Sequence, residues 1–305
     1  MSCLHFRQVT SNDYKEVVAI RRGIYYGLDY LADRFHSMLE THEGYVAMDG
    51  DKMVGFAFVT TIDDGATSLV RAARVHEGYE GKGIYRSLSD YIRQIDLSNR
   101  DIKRSAVVLH LDAEADRLIK KGAVLVGRRN VRVFLGTASL ILPCIKGVLE
   151  NHPLNRDAMA RIFHSTKLCS ILFPCDRIVC NWVAYRLLPS NIEHFDSKNH
   201  NVLATSVDPE NVSGNPLLSV GMTFNCEEGY ALCIDFHGDI GEGSMVREHV
   251  EKHMKMSMGQ QTKNIVVMIT CEDCIDDSLL YKTMEKFSMT EKKIGIKMNM
   301  IEKNI

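Results

Sequence analysis

Hydrophobic spacing along the chain alternates between the periods of helices and strands. After the cap-type run Thr10-Ser-Asn-Asp13, the positions Tyr14, Val17 and Val18 predict a short amphipathic helix. Leu31, Phe35, Met38 and Leu39 predict a second one over 30–40. The period then drops to two. Residues 45–48 and 53–59, joined by the turn Asp49-Gly-Asp-Lys52, predict a hairpin, and Asp63-Asp-Gly65 turns the chain into a third strand over 68–75. A loop with glycines at 78, 81 and 83 separates this strand from a helix carrying Ile84, Leu88, Tyr91, Ile92 and Ile95. The nearly continuous apolar run 106–111 predicts an interior strand. A helix over 113–121 and paired strands near 124–126 and 130–135 follow.

The remainder repeats this order coarsely. Met159, Ile162, Phe163 and Leu168 mark a linker helix within 151–172, and 179–187 reads as a strand. Pro189-Ser-Asn191 caps a short helix. A hairpin is predicted over 217–224 and 230–236, then a glycine-bearing turn over 238–243 and a helix over 244–258. The buried strand 265–269, a helix over 276–287 and a last strand over 293–301 end the series. The expected division is a first domain at 1–140, a linker at 141–175 and a second domain at 176–305, of an α+β class with helices on both sides of a sheet. The second half reads as a degenerate copy of the first, without the tightly spaced basic glycine loop.

Composition excludes several classes. The 305 residues are 45% hydrophobic and 25% charged with a formal charge of −2, as in a soluble globular protein with no general attraction for nucleic acid or anionic lipid. The N-terminal residues lack the apolar core of a signal peptide, and the greasy run 133–149 is interrupted by Pro143 and Lys146, so neither secretion nor a membrane span is expected. Nine cysteines, odd in number and scattered, fit reduced thiols in the cytoplasm. Cys271 and Cys274 have metal-knuckle spacing but no second pair to complete a zinc site, so no metal is expected. The acceptor-like triplet Asn211-Val-Ser213 has no consequence without secretion.

The glycine loop carries the most chemistry. Gly81 and Gly83 let backbone N–H groups approach phosphate oxygens at the positive end of a helix dipole, with Lys82 beside them. The same glycines also serve a plain strand-to-helix turn. A Rossmann unit needs its glycines after the first strand, and a P-loop needs Ser or Thr after Gly-Lys, where this chain has Gly83. The order of helix, helix, three strands, glycine loop, helix and strand is similar to the GNAT N-acetyltransferase fold, and the chain reads as two tandem copies of it.

Particular words of the sequence carry a closer resemblance: Asp13-Tyr14, Gly23-Ile-Tyr25, Gly27-Leu-Asp-Tyr-Leu31, Arg34-Phe-His-Ser37, Gly81-Lys-Gly83, Asn181-Trp182 and Pro189-Ser-Asn191. Together they resemble the histidine N-acetyltransferase family. The resemblance implies acetyl transfer from acetyl-CoA, as cosubstrate, to the α-amine of a small amino-acid acceptor, histidine or a relative. It places Ala73, Arg74 and Val75 along the pantetheine, and Gly78, Gly81, Lys82, Gly83, Ile84 and Tyr85 around the pyrophosphate. Tyr25, Tyr26, Asp29 and Tyr30, at the junction of the first two helices, fall where the fold keeps its acceptor lid.

The chain departs from the family pattern where protons must move. No carboxylate occurs over 68–75, where relatives carry an acidic residue near the position of Arg71, and Leu118 or Ile119 stands where the superfamily has a tyrosine acid. Gly78 replaces a basic or polar residue of the phosphate loop, and Tyr85 a small one. The catalytic residues are therefore unassigned. Arg71 reads either as a bidentate clamp for a substrate carboxylate or as a solvated edge arginine. His110, within an apolar run, reads as a satisfied core histidine. His5, His36 and His42 have no partner spacing. A catalytically inactive CoA-binding or interaction module is the alternative function, and transfer to a protein amine a third. The tyrosines of 25–30 favour a closed small-molecule pocket over the latter.

Overall fold

The computed structural model describes residues 4–98, 101–145, 153–195, 200–212, 214–240, 243–258, 264–273 and 278–305. The first half runs β1 (Leu4–Gln8), α1 (Tyr14–Ala19), α2 (Leu31–Leu39), β2 (Glu43–Asp49), β3 (Lys52–Ile62), β4 (Thr67–Val75), α3 (Ile84–Ser98), β5 (Arg104–Leu109), α4 (Asp112–Ile119) and β6 (Val124–Thr137). Helices α5 (Ala138–Ile141), α6 (Arg156–His164) and α7 (Thr166–Leu172) lead to β7 (Arg177–Cys180), β8 (Val183–Arg186) and β9 (His200–Thr205). The chain ends with β10 (Leu217–Cys226), β11 (Gly229–Gly238), α8 (Gly243–Met258), β12 (Asn264–Glu272), α9 (Ser278–Lys286), β13 (Thr290–Glu291) and β14 (Lys297–Asn304).

One mixed sheet runs through both halves in the order β1-β2-β3-β4-β5-β14-β6-β12-β11-β10-β9, with β13 also on β6. The last strand of each half lies against the other half. C-terminal β14 is antiparallel to β5, and β12 is antiparallel to β6 along the whole length of β12. The cores follow the same rule: Phe35, Phe56 and Phe58 of the first half share one buried cluster with Met222, Phe224, Val266 and Met298 of the second. Helix α3 sits so close on β3 that a Cβ at Gly55 would meet Ile84 Cγ2 at 2.8 Å.

Several expected elements took another form. Residues 124–135 are one strand, not a pair, because β6 is clamped by β14 on one side and β12 on the other. The single strand expected over 179–187 is the hairpin β7–β8, reversed at Asn181 and Trp182, both with positive φ. The linker helix is two helices, each entered through its own cap: Asn155 accepts from Ala158 N–H, and Ser165 from Leu168 N–H. Strands β1 and β9 were not foreseen. Ser213, Cys274, and the start of the helix expected at 276 lie outside the described residues. Cys271 is buried in β12. Among the described residues no helix is long and apolar enough to cross a membrane.

Under β10, Ser219 Oγ lies 2.7 Å from both His249 Nδ1 and His253 Nε2, and His249 Nε2 lies 2.9 Å from Thr205 Oγ1. Burial pushes His249 down to about 4 and His253 down to about 3. Both rings are therefore neutral when folded, whereas an unfolded histidine titrates near 6.5. Below that value the unfolded chain binds more protons, so stability is lost as pH falls. From pH 7 to pH 5 the two rings should together account for about 4 kcal/mol of lost stability in urea denaturation, about 2 kcal/mol each, and His253→Gln should remove about half of it.

Candidate active site

Strands β4 and β5 are parallel, yet they pair only at Thr67↔Arg104, Ser68↔Ser105 and Leu69↔Ala106. Beyond Leu69 they diverge. Ala72 takes φ 50°, and the β3–β4 register shifts between Phe56 and Phe58, so the strand bulges where it leaves its neighbour. The opening leaves main-chain groups of the outer part of β4 without a partner on the β5 side.

The loop after β4 leads to the helix end that the resemblance assigned to phosphate. His76 Nδ1 accepts from Gly78 N–H at 3.1 Å, and N–H groups of Tyr79, Glu80 and Lys82 close tight turns onto His76, Glu77 and Tyr79 carbonyls. None of the backbone bonds that fold this loop uses Gly81 or Gly83 N–H. The first N–H groups of α3, from Ile84 onward, have no helical acceptor by the geometry of a helix start. Gly81 and Gly83 have φ of 72° and 78°, and no atom stands within 4 Å of where a Cβ would project. A ring of donors thus borders open space at the positive end of a fifteen-residue helix, which suits a pyrophosphate. Lys82 Nζ bends back to Gly78 O at 2.7 Å and lies 4.7 Å from the Tyr79 ring centre. Tyr85, on the first turn of α3, has its hydroxyl pushed up by burial and held in the field of Glu114 and Arg117 of α4.

The lid residues adopt costly backbone. Tyr25 and Tyr26 both take left-handed φ, 50° and 60°, in a short 3-10 turn over Ile24–Gly27. The C-terminal half clasps this turn: Lys292 Nζ donates to Tyr26 O at 3.0 Å and pairs with Glu228 at 2.8 Å. Tyr26 is exposed, whereas burial raises the Tyr25 hydroxyl pKa, with Tyr30 and Asp29 adding to it. Asp29 caps α2 through Leu31 N–H and forks onto buried Arg74 at 2.9 and 3.3 Å. The Arg74 side chain therefore points to the lid, while its backbone remains in β4.

Two residues that the sequence reading did not bring to the site lie here. Trp182, on the β7–β8 turn, stacks on Tyr25 with centroids 5.5 Å apart. His110 lies just past the end of β5, not inside it, and meets the Tyr25 ring edge-on at 5.4 Å. Its ring nitrogens make no hydrogen bond among the described residues, and burial lowers its pKa below the usual histidine value. It is thus a neutral imidazole at the mouth of the β4–β5 opening. Arg71 donates to Asn181 O at 3.1 Å, and its guanidinium carbon lies 5.5 Å from the Tyr30 ring centre. It is a half-buried inter-half contact, not a solvated edge residue.

Among the described residues the second half has no such opening. Parallel β11 and β12 stay paired through six residues, Tyr230↔Ile265 to Asp235↔Thr270. Beyond that point the fully buried Arg129 of β6 bridges the two strands, donating to Phe236 O and Thr270 O and pairing with Glu272. The C-terminal copy is degenerate in structure as well as in its loop. Among the described residues no group of three His, Cys, Asp or Glu side chains is placed to hold a metal ion.

Comparison with known proteins agrees with this architecture. Residues 148–272 match the family described as histidine N-acetyltransferase, C-terminal. A histidine N-acetyltransferase of Scomber australasicus is 26% identical over 309 residues, covering 93% of this chain and 87% of that protein. A probable N-acetyltransferase 16 of Homo sapiens is 28% identical over 210 residues, covering 64% and 57%. A tandem GNAT protein from the clavulanic acid biosynthesis pathway superimposes with a TM-score of 0.55 at 11% identity, covering 99% of this chain and 98% of that one. A GCN5-related N-acetyltransferase from Sphaerobacter thermophilus gives the same TM-score, with 99% and 95% covered. Over most of its length the chain is similar to histidine N-acetyltransferases, and it has the fold of two tandem GNAT modules joined in one sheet.

Proposed function

We propose that this protein transfers acetyl from acetyl-CoA to the α-amine of a small amino acid, histidine or a close relative. The observation that carries this reading is the divergence of β4 from β5 directly ahead of a glycine loop with unused amides. The loop binds the pyrophosphate of the donor, and the backbone of Ala73 to Val75 lines its pantetheine arm. An amine positioned at the opening attacks the thioester carbonyl, the C–S bond breaks, and an N-acetyl amino acid and free thiol are the products. β4 amides beside the bulge stabilise the oxygen on which charge develops. Orientation of amine and thioester supplies a large share of the acceleration.

The proton on the incoming ammonium needs an acceptor, since β4 carries no carboxylate over 68–75. His110 fills that role: it is neutral, its nitrogens are unengaged among the described residues, and it borders the opening. His110→Gln should lower kcat about 100-fold and remove the acid limb of the pH–rate profile, with acetyl-CoA affinity unchanged. An acid limb that persists in the variant would take the role away from His110. The wider test is incubation with acetyl-CoA and a panel of amino acids, read by mass and by thiol release. N-acetylhistidine is the expected product, and no acetylated product from any imidazole-bearing amine would reject the reading. Tight CoA binding without turnover would select a CoA-binding module instead, which the missing carboxylate favours.

A further inference from the structure

Among the described residues Arg71 is a cation without a counter-ion. Nη2 donates to Asn181 O at 3.1 Å, Nη1 lies 3.5 Å from His42 Nε2, and Nε is buried with no hydrogen bond. No carboxylate lies within ion-pair distance of it among the described residues. The groups that share its field are the phenols of Tyr30 and Tyr185, the Cys180 thiol and three imidazoles. His42, His194 and His200 are all held below the ordinary histidine pKa by burial first; the Arg71 charge adds to this, after Arg34 at His200 and against Glu193 at His194. Arg34, whose charge also acts on His200, has a buried Nε without a hydrogen bond and gives Nη2 to Thr223 O at 2.6 Å.

Two of the nearby acids are committed elsewhere. Asp33 accepts from Asn225 and lies 3.8 Å from Arg34, and Asp63 is taken by Thr67, Asn191 and Arg186. A half-buried guanidinium that has imidazoles and phenols about it, and no carboxylate among the described residues, is costly unless an anion completes it. The niche also has an address. Asn181 O holds Arg71, and the next residue, Trp182, stacks on Tyr25, which meets His110. One wall therefore runs from the cation to the opening between β4 and β5, and both halves of the chain build it.

We propose that the niche formed by Arg71, His42, His194, His200 and the Asn181 carbonyl binds the carboxylate of the acceptor, so that only amines carrying a free α-carboxylate are presented to the thioester. This rests on the acetyltransferase reading and names its substrate class. A planar guanidinium with a free Nε–H edge matches a carboxylate by a two-point contact. The C-terminal half, closed at its own cleft, then serves the reaction by supplying Asn181, His194 and His200.

The test compares histidine with histamine, which keeps the amine and imidazole but lacks the carboxylate. Calorimetric titration of the wild-type protein should show histidine binding at least about 100-fold more tightly than histamine, and kcat/KM should follow. Arg71→Gln should erase that preference by weakening histidine alone, and Arg71→Lys should restore part of it. Acetyl-CoA affinity should be the same in all three proteins, which confirms that the variants are folded. Equal binding of the two ligands by the wild type, or a preference that survives in Arg71→Gln, would overturn the niche. If the wild type acetylates neither ligand yet binds histidine through Arg71, the catalytic reading fails while the carboxylate site stands.

Discussion

Replacing Gly83 with valine should weaken acetyl-CoA binding at least about 100-fold while leaving the urea unfolding free energy within about 2 kcal/mol of the parent. Gly83 has φ 78°, a conformation that a β-branched side chain adopts only under strain, and it directly precedes α3. Nothing stands where the new Cβ would project, so the packed core loses no contact. What changes is the direction of the amides of Gly83 and Ile84, which turn when φ relaxes to negative values. Each charge-assisted bond to phosphate is worth about 1.5–3 kcal/mol, and losing two exceeds the roughly 2.7 kcal/mol of a hundred-fold change. Calorimetric titration with CoA checks the affinity. A variant that binds CoA as the parent does would remove the loop from the site and leave its glycines as a plain turn.

The largest stability effect is expected at the closed cleft of the second half. Arg129→Met should cost about 3–5 kcal/mol, measured as a fall in the urea midpoint at unchanged slope. Arg129 is fully buried; it pairs with Glu272 at 2.6 Å, reaches Thr270 Oγ1 at 3.3 Å and donates to two strand carbonyls. Methionine fills much of the volume but leaves Glu272 without its cation and two carbonyls without a donor. Asp235, already raised by burial and lowered chiefly by the Arg129 charge, would be driven further toward its neutral form. A loss below about 1 kcal/mol would mean that desolvating the arginine had cancelled the pair. Because β6 belongs to the first half and Glu272 to the second, this residue also ties the halves together.

The strand exchange explains why a chain with one open cleft keeps two copies of the fold. Without β14 the first half has nothing on the far edge of β5, and without β6 the second half leaves β12 open. The lid is held in the same way: Lys292 and Glu228 clasp the Tyr25–Tyr26 turn, and Arg34 reaches Thr223 O. Strained left-handed tyrosines persist because the second half holds them from outside.

Local periodicity and turn chemistry were sufficient, from the residues alone, for helices α2, α3 and α4, strands β2 to β5, and the loop of Gly81 and Gly83, since each of these elements is specified by neighbours in the chain. The tandem GNAT class followed from their order. The β7–β8 hairpin was hidden because its turn is Asn181-Trp182, and tryptophan with positive φ is not the glycine that marks such a turn. Residues 124–135 contain Gly127, which serves a close approach instead of a break: a Cβ there would meet Met300 Cε at 2.6 Å. Only the tertiary structure decided that β6 and β14 change places, that Asp29 is bound to Arg74, and that Trp182 and His110 meet at Tyr25. These contacts join residues far apart in sequence, and burial in the assembled core, not spacing along the chain, sets which charges are paired.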